Sequence, residues 1–90
     1  MDKQWLVYVL ECADGTLYTG ICTDMERRLK EHNESSKGAR YTRSRRPVSV
    51  LHTEPHASRS AASQREAEIK KLPRVKKLQL INSRNKKPRE

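Results

Sequence analysis

The sequence has little from which to build an interior. Hydrophobic residues make up 33% of its 90 positions and charged residues 34%. So lean a supply argues against a large hollow pocket of the kind that holds a bulky organic cofactor. No apolar run approaches the ~20 residues that a membrane-spanning helix needs, so no membrane-spanning role is expected. The opening Met1-Asp2-Lys3-Gln4 leads straight into a strand-like segment, without the apolar stretch of a signal peptide, and the expected address is the cytoplasm. Cysteine is scarce: Cys12 and Cys22 stand alone, with no Cys-x-x-Cys and no partnering His cluster. That argues against zinc and against a disulfide, and for two reduced, half-buried thiols.

What the chain has is positive charge. Lys and Arg number 20 against 11 Asp and Glu, a formal net charge of +9. Such a balance implies an anionic partner, DNA or RNA or a membrane surface. The length allows one small domain. Residues 82–90 hold four basic residues, one acid and nothing apolar, so they read as a disordered basic tail behind a domain spanning 1–81.

Along the chain, Trp5-Leu-Val-Tyr-Val-Leu10 reads as a buried strand. Asp14-Gly15 is a turn signal and Leu17–Ile21 resumes strand character, giving a β-hairpin. Thr23-Asp-Met-Glu26 fits a capping box with Thr23 as N-cap, and a helix should follow to His32 or Asn33. Residues 33–46 lack periodicity and read as loop. Pro47–Thr53 reads as a third strand. Ser58 or Ser60 can cap a second helix through Leu72, and Pro73 then opens a third over Arg74–Ile81. The order β-β-α-β-α-α implies an α/β (α+β) fold, a small, mainly antiparallel three-stranded sheet flanked by helices.

Several residues are candidates for chemistry, each with a plain alternative. Ala62, Glu66 and Ile69 form one helical stripe, so Glu66 is either a partly desolvated carboxylate or a residue at the helix edge pointing to water. Arg28 and His32 share a face at i, i+4, fit to clamp and serve a phosphate, or simply solvated. Tyr8 and Tyr18 depend on the turn. A two-residue loop at Asp14-Gly15 puts them on opposite faces. A three-residue loop with Gly15 left-handed pairs Tyr18 with Leu10 and puts both tyrosines on one face. Lys37-Gly-Ala-Arg-Tyr-Thr-Arg-Ser-Arg-Arg46 has five basic residues in ten. Lys37, Arg40, Arg43, Arg45 and Arg46 could neutralise phosphates, and Tyr41 offers a ring for a base to stack on.

Taken in order, Tyr8, Tyr18-Thr19-Gly20, an Arg in the next helix and a Glu in a later one resemble the GIY-YIG nuclease family. The resemblance runs from about Trp5 to Ile81. The phrases Leu-Glu-Cys-Ala-Asp-Gly-Thr-Leu-Tyr-Thr-Gly, Asp-Met-Glu-Arg-Arg-Leu-Lys-Glu-His-Asn, Gly-Ala-Arg-Tyr-Thr-Arg-Ser-Arg-Arg-Pro and Arg-Glu-Ala-Glu-Ile-Lys-Lys-Leu look like its small, single-domain bacterial branch of largely uncharacterised proteins. Leu6-Val7-Tyr8 stands where the first motif has Gly-Ile-Tyr, and Tyr18-Thr19-Gly20 where the second has Tyr-Ile-Gly. The departures are Leu6 and Thr19; neither removes a reactive group. The resemblance implies a metal-dependent DNA endonuclease; a short domain without a further base-contacting element is expected to have little sequence specificity and to act on structured or damaged DNA. Its catalytic residues would be Tyr8, Tyr18, Arg28, His32 and Glu66, with Glu66 the ligand to Mg²⁺ or Mn²⁺. Asn82 stands where the family has a late polar residue, at loose spacing. Tyr18 would relay a proton from the attacking water, and Tyr8 and His32 would orient that water and the phosphate. This shared site requires both tyrosines on one face and hence the three-residue turn. The competing reading is a nucleic-acid-binding module on the same fold, without catalysis.

Overall fold

The computed structural model describes residues 4–85, with side chains as far as Asn82. Strands β1 (Trp5–Glu11) and β2 (Leu17–Cys22) form the hairpin, followed by α1 (Met25–Glu34), a short α2 (Arg40–Arg43), β3 (Ser49–His56), α3 (Arg59–Lys70) and α4 (Arg74–Asn85). The sheet runs β2-β1-β3 and both pairings are antiparallel. This is the expected fold class, with an extra helical turn in the stretch expected as loop.

The hairpin turn settles the face of the tyrosines. Gly15 is left-handed at φ 84°, a conformation that costs glycine nothing. Cys12 C=O accepts the Gly15 N–H at 2.9 Å, and Cys12 N–H donates to Thr16 O at 2.8 Å. Asp14 Oδ1 accepts from both the Thr16 N–H (3.1 Å) and its hydroxyl (2.6 Å). The loop is therefore three residues long, Leu10 pairs with Tyr18, and Tyr8 and Tyr18 share a face.

Each face of the sheet has its own cover. Tyr8, Leu10, Cys12, Cys22 and Val48 face α1, which contributes Met25 and Leu29. Val7 and Val9 face α3 and α4, meeting Ala62, Ile69 and Ile81. The alternation along β1 follows from the two-residue period of a strand. Cys12 and Cys22 are free and buried.

Several boundaries differ from the sequence reading. Asp24, one residue later than Thr23, caps α1. Its backbone is extended and its carboxylate accepts the Arg27 N–H at 3.1 Å, while Glu26 lies in the first turn, where a negative charge suits the helix dipole. Strand β3 starts and ends later than expected; Pro55 is tolerated because β3 is an edge strand. Ser58 caps α3, accepting the Ala61 N–H at 3.1 Å, and α3 ends at Lys70. Helix α4 continues past Ile81 to Asn85, into the stretch expected as tail; the rest of that stretch, 86–90, lies outside the described residues.

Candidate active site

The α1 face gathers most of the sequence-predicted site. Tyr8 Oη and His32 Nε2 are 2.8 Å apart, and both side chains are buried, Tyr8 1% exposed and His32 fully enclosed. Arg28 Nε donates to Tyr8 Oη at 3.3 Å. Its Nη1 donates to Glu31 Oε1 at 2.8 Å and to the Lys37 carbonyl at 3.1 Å. Among the described residues Arg28 Nη2 has no hydrogen-bond partner. Tyr18 closes the group, with its ring centroid 6.4 Å from that of Tyr8 and 5.4 Å from that of His32.

Gly20 explains why the two-tyrosine arrangement needs a glycine. A Cβ there would stand 2.5 Å from Tyr8 Oη and 2.7 Å from Cζ. The Tyr8 phenol lies where that side chain would be. The spacing of α1 explains the rest. Arg28, Glu31 and His32 fall at i, i+3 and i+4, one helical face turned to the sheet.

Burial sets the charge state of the inner pair. It pushes the Tyr8 phenol up to about 12, against the lowering effect of the Arg28 hydrogen bond. It pushes the His32 imidazole down to about 4, helped by the Arg28 charge. Both are therefore neutral at pH 7.

The basic loop divides its cations between structure and solvent. Arg46 donates to the carbonyls of Glu31, His32 and Ser35, satisfying the open carboxyl end of α1. Arg45 pairs with Asp14 at 3.1 Å and lies over the Tyr41 ring, 4.0 Å from its centroid. Tyr41 in turn stacks on Tyr18 at 5.8 Å and is 38% exposed. Lys37, Arg40 and Arg43 have exposed side chains. A ladder of Tyr18, Tyr41 and Arg45 thus runs from the site to the surface.

Glu66 stands elsewhere. It rises from α3, the helix over the opposite face, with its side chain 22% exposed and its Oε2 3.1 Å from Lys70 Nζ. It is neither fully desolvated nor free in water. A groove lined by residues that include Trp5, Ile21, Cys22, Arg27, Arg28 and Glu31 opens at Arg28. Trp5 and Ile21 belong to the apolar cluster under α3, and Glu66 is not among the residues that line the groove. Asn82 lies exposed on α4.

Sequence reasoning missed four features. Glu31 had a signal, its i, i+3 spacing from Arg28. Thr42, buried and bonded to His32 Nδ1 at 2.8 Å, had none, because α2 is a single turn in an aperiodic stretch. Gly38 lets the loop lie against α1, for a Cβ there would meet the Glu31 carbonyl oxygen at 2.7 Å and His32 Cα at 2.8 Å. The fourth is a buried ionic cluster on the α3 face. Arg65 grips Glu54 with Nε (2.8 Å) and Nη2 (3.1 Å), and His52 Nε2 lies 2.9 Å from Glu54 Oε2. Burial raises the Glu54 pKa, but the hydrogen bonds from Arg65 and His52 outweigh it and hold the carboxyl at about 2. The alternation His52, Glu54, His56 at strand period was its legible trace.

With this geometry in hand, comparisons with known proteins agree. The model of the GIY-YIG catalytic domain matches residues 4–79. A UPF0213 protein of Natronomonas pharaonis is 59% identical over 81 residues, covering 90% of this chain and 94% of its own. One of Desulfotalea psychrophila is 55% identical over 82 residues, covering 91% of this chain and 74% of its own. The solution structure of a UPF0213 protein from Bacillus halodurans superposes with a TM-score of 0.57 at 47% identity, covering 88% of this chain and 83% of that one. That of an E. faecalis protein gives 0.62 at 40% identity, covering 99% and 95%. The chain belongs to the GIY-YIG family and is similar, over nearly all its length, to the small single-domain UPF0213 proteins.

Proposed function

We propose that this domain is a divalent-metal-dependent DNA endonuclease with little sequence preference, acting on structured or damaged DNA. The observation that carries the reading is the joined Tyr8, Arg28 and His32 with Tyr18 against them, on one face and opening into a groove at Arg28. A scissile phosphate in that groove meets Arg28 Nη2, which neutralises charge developing on the phosphoryl oxygens. Water attacks phosphorus as the bond to the leaving oxygen breaks. Tyr18 Oη takes the water proton and passes its own to solvent. Tyr8 and His32 act from beneath. They are buried and neutral, and they hold Arg28 in place instead of touching substrate.

Glu66 would hold the metal. Its carboxylate already has a cation beside it, the Lys70 ammonium at 3.1 Å. Among the described residues no cluster of three or more ligands would hold an ion. One hard oxygen donor fits Mg²⁺ or Mn²⁺, which keep most of their waters. When bound, such an ion polarises phosphate oxygens and lowers the pKa of its water. The exposed Lys37, Arg40 and Arg43 bind the phosphodiester backbone, DNA or RNA, through salt-dependent contacts.

The test sets wild type against Glu66→Ala on branched, nicked, mismatched and single-stranded DNA, with Mg²⁺ and with EDTA. Cleavage by wild type alone, abolished by EDTA, is expected, with DNA binding retained in both. Equal binding with no cleavage by either protein means a binding module on the same fold.

A further inference from the structure

His32 is fully enclosed on the α1 face, and both its ring nitrogens are engaged. Nε2 meets Tyr8 Oη at 2.8 Å and Nδ1 meets Thr42 Oγ1 at 2.8 Å. A neutral imidazole carries one proton, so it donates at one end and accepts at the other. Which end is which decides what Tyr8 does for Arg28.

Counting protons separates the two arrangements. Suppose Nε2 carries the proton. Tyr8 Oη then accepts from His32 and also from Arg28 Nε, and among the described residues the Tyr8 hydroxyl proton has no acceptor left. An orphaned O–H on a residue 1% exposed is costly. Suppose instead that Nδ1 carries it. His32 Nδ1–H donates to Thr42 Oγ1, and the Thr42 hydroxyl donates onward to the Ala39 carbonyl at 2.9 Å. The Tyr8 O–H then goes to Nε2, and its oxygen is left to accept from Arg28 Nε. Every proton has a partner. The Ala39 N–H, 3.4 Å from Nδ1, pulls the other way, but that length makes it the weakest contact of the set.

We infer that Thr42 is a positioning residue that locks His32 with its proton on Nδ1, so that the Tyr8 O–H is spent on His32 Nε2 and the Tyr8 oxygen accepts from Arg28 alone, fixing the guanidinium for phosphate. The chain of donation runs Tyr8 to His32 to Thr42 to the Ala39 carbonyl. It ties the charge that meets substrate to the short helix α2, which also carries Tyr41. Only the meaning of the Arg28 position rests on the nuclease reading; the proton assignment stands on the hydrogen bonds. The close approach of the two segments depends on Gly38, whose missing Cβ lets the loop reach the His32 backbone.

The experiment reads the ring directly. Long-range ¹H–¹⁵N correlation spectra tell a protonated ring nitrogen from a bare one, and the Arg28 Nε–H signal reports its hydrogen bond. In wild type and Thr42→Ser we expect His32 protonated on Nδ1 and a persistent Arg28 Nε–H signal near neutral pH. In Thr42→Val we expect the proton to move largely to Nε2 and the Arg28 signal to fade. In cleavage, Thr42→Val should lower kcat about tenfold with KM little changed, and Thr42→Ser should restore it. A wild-type ring protonated on Nε2 overturns the assignment, and this holds even if Thr42→Val does not fold. A ring unchanged in a folded Thr42→Val overturns the lock, and a moved proton with an unchanged kcat overturns the link to Arg28. If no variant cleaves while the ring behaves as expected, the nuclease reading fails and the proton assignment stands.

Discussion

Under α1 the polar groups Tyr8, His32 and Thr42 are buried and neutral; under α3 the buried Glu54 is charged, gripped by the half-buried Arg65. The sheet between them is one strand layer thick, so the contrast is not one of depth. The ionic pair is bidentate, with one oxygen also bonded to His52, as a buried carboxylate requires if it is to stay charged. It fastens α3 to β3. The neutral chain instead supports Arg28, which pairs with Glu31 at the surface, and adds no charge of its own beneath it. One face uses polarity as an anchor, the other as a mount.

The strongest way to break that comparison is to remove the arginine from each face. Arg28→Ala should cut cleavage by about 10²–10³-fold while the protein stays folded. Arg65→Ala should cost about 3 kcal/mol of stability by stranding Glu54, with the rate per folded molecule little changed. Denaturant unfolding and single-turnover cleavage on both variants decide it; a crossed result would merge the two roles. Next, Gly20→Ala should destabilise by about 1–3 kcal/mol, because the added methyl overlaps the Tyr8 phenol, and the shift in unfolding midpoint measures it.

pH sharpens the contrast without mutation. The His32 pKa is lowered from 6.5 to about 4 in the fold, so the unfolded chain takes up its proton first and stability falls as pH drops from about 6.5 toward 4. The Glu54 pKa is lowered from 4.5 to about 2, so its contribution is present above about 4.5 and is lost between there and about 2. Unfolding curves from pH 7 to 2 should show two declines, the upper missing in His32→Gln and the lower reduced in Glu54→Gln, since Asp14 and Glu31 are also held below the ordinary carboxylate range. The smallest effect belongs to the rim. Tyr41→Ala should weaken single-stranded DNA binding by about 1 kcal/mol through lost base stacking, with the melting temperature nearly unchanged.

How much of this was legible depended on distance along the chain. The hairpin, the capped helices and the shared face of Arg28 and His32 are local, and residue type with spacing reveals them. The shared face of Tyr8 and Tyr18 was open from turn chemistry alone; the family resemblance selected the register that Gly15 adopts. Contacts spanning many residues were not legible. Nothing near Arg46 indicates that it serves carbonyls 11 to 15 residues earlier, and nothing near Thr42 points to His32. Counting the loop arginines as one phosphate-binding set overlooked that a guanidinium can spend its donors inside the fold. Glu66 was picked out from its stripe, but periodicity could not tell which face of the sheet its helix would cover.

The grip of Arg46 on the end of α1 has a practical side. It closes the segment from Lys37 to Arg46 into a cassette of fixed length, buckled to the scaffold at its far end and stitched to the hairpin turn by Arg45. The outward positions 40 and 43 are the ones this buckle leaves alone. A library randomised at those two sites, with the chain length held constant, would vary the surface presented to a polyanion while the fold beneath stays as it is.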